Sequence, residues 1–260
     1  MAQDDLTNAE RAQQYMDSLP VLEEGQTFCF ECNPDVACFG RCCRQLTLPL
    51  TPYDVLRLRR ALGMTSADFL TTLTTMRTIP DSGLPIPMLK MCGGPEETCP
   101  FLTPTGCQVY DDRPGACRSY PIGRGTRPSP NGVYETHYLV QEDHCRGFDA
   151  GRDWTAQEWF EREGLTPYNN ANDRYMRLGA MIAASGRPLE DRLATMCILC
   201  CYQLDRFREL VDRMRIFERV RVDPARQAAV RDHDEDALEF GLDWMELVIF
   251  GTCDGLEKVR

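Results

Sequence analysis

The sequence predicts a mainly α fold, in which an irregular, cysteine-rich lobe with short helices precedes a helical lobe. Cysteines are unevenly spread, with ten of the 14 between Cys29 and Cys145. Helix-start signals and amphipathic runs occur on both sides of that region. The stretch from Pro80 to Pro130 is instead rich in Pro, Gly and Cys, which favours loops over regular elements.

Three regions along the chain are expected from these shifts in composition. Residues 1–27 form an N-terminal segment, 28–150 a cysteine-rich domain and 151–260 a helical C-terminal region. The second boundary falls at FDAGRD, a turn-like sequence.

Helix starts are clearest where a hydroxyl residue is followed by an acid in the first turn. Thr51 to Asp54 reads as a capped start with proline at the first helical position, and Ser66 begins a second helix that carries Met76 on its apolar face. Thr155 and Glu158 form a capping box. We expect little hydrogen-bonded ladder between Pro80 and Pro130.

The helical region ends in two long apolar patterns. Pro188 opens one predicted helix that continues to Met214, and a last helix covers about Ala237 to Phe250. This region is larger than the support of a metal site requires, so we expect that it binds a protein partner. The sequence leaves any small-molecule substrate unknown.

Charge and hydropathy exclude several classes of protein. The net charge of −11 argues against non-specific nucleic-acid binding, which needs clustered cations. No run approaches the roughly 20 apolar residues of a membrane helix. The first residues are polar and acidic, without the pattern of a secretory signal, so a cytoplasmic protein is expected.

In a reducing compartment, closely spaced cysteines indicate metal binding or catalysis rather than disulfides. The strongest motif is Cys32-x5-Cys38-x3-Cys42-Cys43, whose short gaps let one loop wrap a metal. Neighbouring side chains diverge, so Cys42 and Cys43 do not easily share one tetrahedral zinc. They can reach two irons of one cluster or two nearby metals, which favours an iron–sulfur cluster and leaves zinc as the alternative.

Further cysteines follow in CPFLTPTGC, RPGACRSYP and HCRG. With the first motif they give eight predicted metal ligands, enough for one 4Fe-4S centre with additional thiols or for two centres. Spacing alone does not divide them: Cys32, Cys38, Cys42, Cys43, Cys99, Cys107, Cys117 and Cys145.

Arginines flank several of these cysteines, and no acidic residue occurs from Arg113 to Val133. A thiolate-ligated cluster is anionic, so a local excess of cations would stabilise it. We therefore predict that Arg44 and Arg118 lie around the cofactor rather than bind it directly.

The runs FECNPDVACFGRCCRQLTLPLTPYDVLRL and CPFLTPTGCQVYDDRPGACRSYP resemble the YkgJ-like cysteine-cluster family, described as zinc- or iron-chelating, over about residues 28–147. The rest looks like longer versions found in sulfate-reducing anaerobes. The broader family includes a flagellin lysine methylase associated with a 4Fe-4S centre, so the resemblance implies iron–sulfur binding. Shorter members have CxxC where five residues separate Cys32 from Cys38, which weakens the assignment of Cys32.

Three functions follow from these expectations. The first is an iron–sulfur protein acting in redox chemistry, electron transfer or cluster-dependent modification of a partner. The second is a zinc-stapled protein-interaction module, and the third a protein lysine methylase-like enzyme. No nucleotide-binding or SAM-binding glycine loop and no hydrolase motif is evident, so whether the chain is an enzyme stays open.

Weaker candidates surround the eight cysteines. Cys29 could be a ninth ligand but is more typical of an adventitious thiol, and Cys92 is equally consistent with a ligand and with a free thiol. His137 is more typical of a satisfied structural residue. Cys197 and Cys200, at helical spacing on an apolar stripe, are expected to pack in a core.

Overall fold

The computed structural model describes residues 14–129, 132–149 and 151–259. The helices are α1 (Pro52–Ala61), α2 (Ser66–Leu73), α3 (Gly115–Ser119), α4 (Ala156–Arg162), α5 (Thr166–Ala184), α6 (Asp191–Tyr202), α7 (Leu204–Arg213), α8 (Pro224–Asp232) and α9 (Asp234–Phe250). The strands are β1 (Val21–Leu22), β2 (Thr27–Phe30), β3 (Thr74–Thr78), β4 (Pro85–Leu89), β5 (Leu102–Thr103), β6 (Gly106–Cys107), β7 (Ile122–Ser129), β8 (Gly132–Leu139), β9 (Arg152–Thr155), β10 (Val220–Arg221) and β11 (Glu257–Lys258).

The described chain divides into two compact units, each made of two sequence segments. The first unit contains the described residues up to Cys42 together with Ala116–Leu165, and the second contains Cys43–Gly115 together with the described residues from Thr166 onward. The domains predicted along the sequence, 1–27, 28–150 and 151–260, stay a prediction, and residues 1–13 of the first lie outside the described part.

The first unit is built mainly from antiparallel strands. Strands β1, β8 and β7 form one sheet in that order, and β2 pairs with β9. Phe30, at the end of β2, is 1% exposed and lies edge-to-face against Tyr120, Phe148 and Trp159. This aromatic cluster is the centre of the unit's core.

The second unit is mainly helical and also contains the two-stranded sheets β3–β4, β5–β6 and β10–β11. Helices α6 and α9 approach closely at Gly241, because a Cβ there would lie 2.2 Å from the Cys200 carbonyl oxygen. Only glycine fits at this position, which explains a residue of low helix propensity inside a buried helix.

The prediction of a mainly α fold is confirmed only in part, because antiparallel sheets add a substantial β component to the chain. The expectation of little ladder between Pro80 and Pro130 was wrong, since β7 pairs with β8 from Ile122↔Leu139 to Ser129↔Gly132. That hairpin contains arginine, threonine and tyrosine rather than an alternating apolar pattern, so periodicity did not reveal it.

Two helix boundaries also differ from the predictions. Met76 lies in β3 rather than α2, because the chain turns extended at Thr74. The single helix expected from Pro188 to Met214 is two helices, α6 and α7, separated at Gln203 with φ −116° and ψ 60°. The apolar stripe continues across this break, so its period alone could not show it.

The predicted start at Thr51 is confirmed and has a tertiary role. The Asp54 carboxylate accepts hydrogen bonds from the Thr51 backbone N–H and, through its other oxygen, from the Gly115 backbone N–H, each 2.8 Å long. Asp54 is 2% exposed, so this capping residue also ties α1 to the start of α3.

We expect Asp54→Ala to destabilise the protein by about 2–3 kcal/mol, since it removes a helix cap and leaves the buried Gly115 N–H without its acceptor. Asp68 is the matched control, because it occupies the same position after Thr65 but is exposed. Asp68→Ala should cost about 1 kcal/mol or less. Urea denaturation of both variants measures the difference, and equal losses would show that the Gly115 contact contributes nothing.

Candidate metal centre

Three predicted ligands of the second unit lie on one set of connected loops. The Cys99 backbone N–H donates to the Cys43 carbonyl oxygen at 2.8 Å, although 56 positions separate the two residues. The Leu102 N–H donates to the Cys99 carbonyl at 3.1 Å, and Leu102 pairs with Cys107 across the β5–β6 hairpin. All three cysteines are half-buried. Backbone hydrogen bonding therefore gathers Cys43, Cys99 and Cys107 in one part of this unit.

Next to this group, the chain around Cys92 is held by the same kind of contact. The Cys92 N–H donates to the Thr98 carbonyl at 2.7 Å, and Thr98 forms a β-bridge with Arg44. The Arg44 guanidinium forms an ion pair with Glu96. Glu96 therefore neutralises part of the Arg44 charge. The role predicted for Arg44 beside the cofactor stays a prediction.

In the first unit, Cys38 and Cys145 are brought together from distant parts of the chain. The Arg146 backbone N–H donates to Cys38 Sγ at 3.1 Å. Cys145 is 8% exposed and belongs to the aromatic core, against which Cys38 packs. A metal ligated by Cys38 would therefore have a backbone N–H directed at its sulfur ligand.

Tyr120 lies beside the same pair. Its hydroxyl is buried and lies next to the Cys145 thiol. Burial raises the pKa of Tyr120 far above its ordinary value, and the neighbouring Cys145 adds to this effect. The phenol therefore stays protonated and keeps a proton to donate to a nearby sulfur.

The remaining predicted ligands of the first unit are exposed. Cys32 follows β2, Cys42 lies in the 3₁₀ turn Arg41–Cys43, and Cys117 lies in α3. Arg118, next to Cys117, donates from Nη1 to the Glu163 carbonyl at 2.7 Å. The eight predicted ligands are thus divided, with five in the first unit and Cys43, Cys99 and Cys107 in the second.

His137 has a structural explanation. Its Nε2 lies 3.3 Å from Glu135 Oε2, and its ring packs edge-to-face on Phe160 at 5.0 Å. A hydrogen bond from Arg124, opposed by burial, holds the pKa of Glu135 below its usual value. His137 is therefore explained by packing and an acidic neighbour.

The cysteines of α6 behave as core residues, as expected. Cys197, Cys200 and Cys201 are fully buried. Burial raises the pKa of Cys200, and the pKa of Cys201 is raised by a hydrogen bond from Cys197 together with burial. Both stay neutral thiols at physiological pH, which suits packing and disfavours metal binding.

Within the described ranges, no group of three or more His, Cys, Asp or Glu side chains is arranged to hold a metal ion. The donors nevertheless suit a thiophilic metal chemically, since the half-buried Cys38 sulfur accepts a backbone N–H and the buried Cys145 thiol lies beside a buried phenol. The free energy of structural metal binding is roughly 10–16 kcal/mol for zinc in small peptides. This is large enough to offset the cost of rearranging cysteine side chains around a metal.

Residues 31–146 match the family CxxCxxCC, described as "Putative zinc- or iron-chelating domain". Over this segment the chain is similar to that family, and the matched residues are called the CxxCxxCC domain. The YkgJ-like resemblance is thereby confirmed for it, and the CxxCxxCC domain contains all eight predicted ligands. No curated protein and no solved structure gives a significant match to the chain. The likeness of the remaining residues to the longer versions from anaerobes stays an expectation.

Two features in and around the CxxCxxCC domain could not be predicted from the sequence. The Arg146 N–H that reaches Cys38 is a backbone group, which no residue pattern reveals. The aromatic cluster around Phe30 gathers residues from β2, the 3₁₀ turn Gly147–Asp149 and α4. Separately, none of the described helices is both long and apolar enough to cross a membrane.

Proposed function

We propose that this chain is an iron–sulfur protein, whose cluster serves electron transfer or the modification of a partner protein. The observation that carries the proposal is the gathering of Cys43, Cys99 and Cys107 by backbone hydrogen bonds within a zinc- or iron-chelating domain. Thiolates are the usual ligands of iron–sulfur clusters.

The hydrogen-bond donors near the thiols favour iron–sulfur binding. A cluster with four thiolates is anionic, and hydrogen bonds to its sulfurs set its reduction potential. The Arg146 N–H already donates to Cys38 Sγ, and the Tyr120 phenol keeps a proton beside Cys145. A bound cluster would supply one-electron redox chemistry. The chain's own part is to hold the thiolates, supply donors and limit access of water.

Zinc is the alternative, because the description of the CxxCxxCC domain names both metals. Zinc would hold the loops together without redox chemistry, and the helices of the second unit would then serve a partner. The divergence of the adjacent Cys42 and Cys43 side chains disfavours a single tetrahedral zinc. The methylase-like alternative stays a prediction with no contact in the described residues to support it.

Anaerobic purification followed by iron, zinc and acid-labile sulfide analysis tests the proposal. We expect a brown protein with iron and sulfide in equal amounts, and an EPR signal that appears or disappears on reduction with dithionite. A colourless protein with stoichiometric zinc and no sulfide would overturn the iron–sulfur proposal in favour of the zinc-stapled module. Protein purified in air with added chelator serves as the metal-free reference.

A further inference from the structure

An open cavity lies in the second unit, outside the CxxCxxCC domain. Its volume is about 430 Å³, and it is lined by Arg219, Val220, Trp244, Leu247, Val248, Lys258 and Val259. At about 30 Å³ per water molecule, such a space holds roughly 14 waters or a ligand with a comparable number of non-hydrogen atoms. This size suits a small ligand or one protruding side chain.

The apolar wall comes from one face of α9. Trp244, Leu247 and Val248 stand at positions i, i+3 and i+4 of that helix, so their side chains lie side by side. Leu247 is buried, but Val248 is 37% exposed. Val259, which follows β11 and also lines the cavity, is 49% exposed. Apolar surface thus remains open to solvent here, beside the tryptophan.

Two cations also line the cavity, Arg219 and Lys258. In the β10–β11 ribbon Val220 pairs with Lys258, and the Val259 N–H donates to the Arg219 carbonyl at 2.9 Å, which fixes both cationic residues beside the cavity. The neighbouring acids are engaged elsewhere, since Glu257 pairs with Arg221 and Glu218 with Arg215. Within the described residues, neither Arg219 nor Lys258 forms an ion pair.

This combination is unusual in a chain of net charge −11. Apolar side chains together with two cations that have no ion-pair partner among the described residues are complementary to a small anion with an apolar body. We propose that this cavity binds an amphipathic carboxylate, with its apolar body against Trp244 and its carboxylate between Arg219 and Lys258. The site is independent of the proposed metal centre.

Decanoate is a suitable probe, with decanol and acetate as references that lack the charge or the apolar body. Binding to the full-length protein is measured by calorimetry and by the fluorescence of Trp244; Trp244→Phe identifies the signal that this residue contributes. We expect decanoate to bind more tightly than decanol or acetate, and more weakly as salt increases.

The variant Arg219→Gln/Lys258→Gln should weaken decanoate binding about five- to tenfold, with decanol unaffected, because exposed charge contacts each contribute modestly. Arg187→Gln/Arg192→Gln is the matched control, since both arginines are exposed and neither lines the cavity. It should leave decanoate binding unchanged. Equal binding of decanoate and decanol, no binding of decanoate, or no effect of the double variant would each overturn the proposal.

Discussion

Cys43→Ser should lower metal binding about 100- to 1,000-fold. If four thiolates share the roughly 10–16 kcal/mol of a structural metal site, each contributes about 3–4 kcal/mol, and a serine hydroxyl does not replace a thiolate at neutral pH. The backbone contact between Cys43 and Cys99 is retained in this variant, because it uses only main-chain atoms. A loss of metal would therefore report the missing sulfur and not a missing loop.

Cys253→Ser is the matched control for Cys43→Ser. Cys253 is also half-buried in the second unit, but it lies outside the CxxCxxCC domain. We expect full metal content in this variant, and a loss in Cys42→Ser like that in Cys43→Ser. Metal per chain, measured by mass spectrometry after anaerobic purification, gives the comparison. Wild-type metal content in both vicinal variants would show that the ligand assignment is wrong.

Phe30→Ala should have the largest effect on stability, about 3–5 kcal/mol. The side chain is 1% exposed and contacts three aromatic rings at centroid distances of 5.1–5.8 Å, so its removal leaves a cavity that the surrounding rings cannot readily fill. The same core contains Cys145 and contacts Cys38. We therefore expect weaker metal binding as a second consequence.

Tyr134→Ala is the control in the same unit, because Tyr134 is 63% exposed. This change should stay within about 0.5 kcal/mol. Hydrogen exchange followed by mass spectrometry locates the effect: Phe30→Ala should lose protection in peptides of β2 and α4. Uniform loss across the second unit, with the first unit protected as in the wild type, would contradict the role assigned to the Phe30 cluster.

The helix starts at Thr51 and Thr155 could be predicted from the sequence because a cap is a local contact between residues three positions apart. The same holds for the buried cysteines of α6, which follow the period of the helix. The break at Gln203 and the β7–β8 hairpin could not be predicted, because they depend on packing and strand pairing rather than on a local pattern.

For the candidate site, the sequence by itself determined the donor chemistry: closely spaced cysteines of the CxxCxxCC domain, suited to zinc or iron. Only the tertiary structure decided which of these cysteines lie near each other. Cys43 meets Cys99, and Cys38 meets the Cys145–Arg146 peptide, through hydrogen bonds between residues 56 and 108 positions apart. Contacts at such separations depend on how the whole chain folds, and spacing in the sequence carries no record of them.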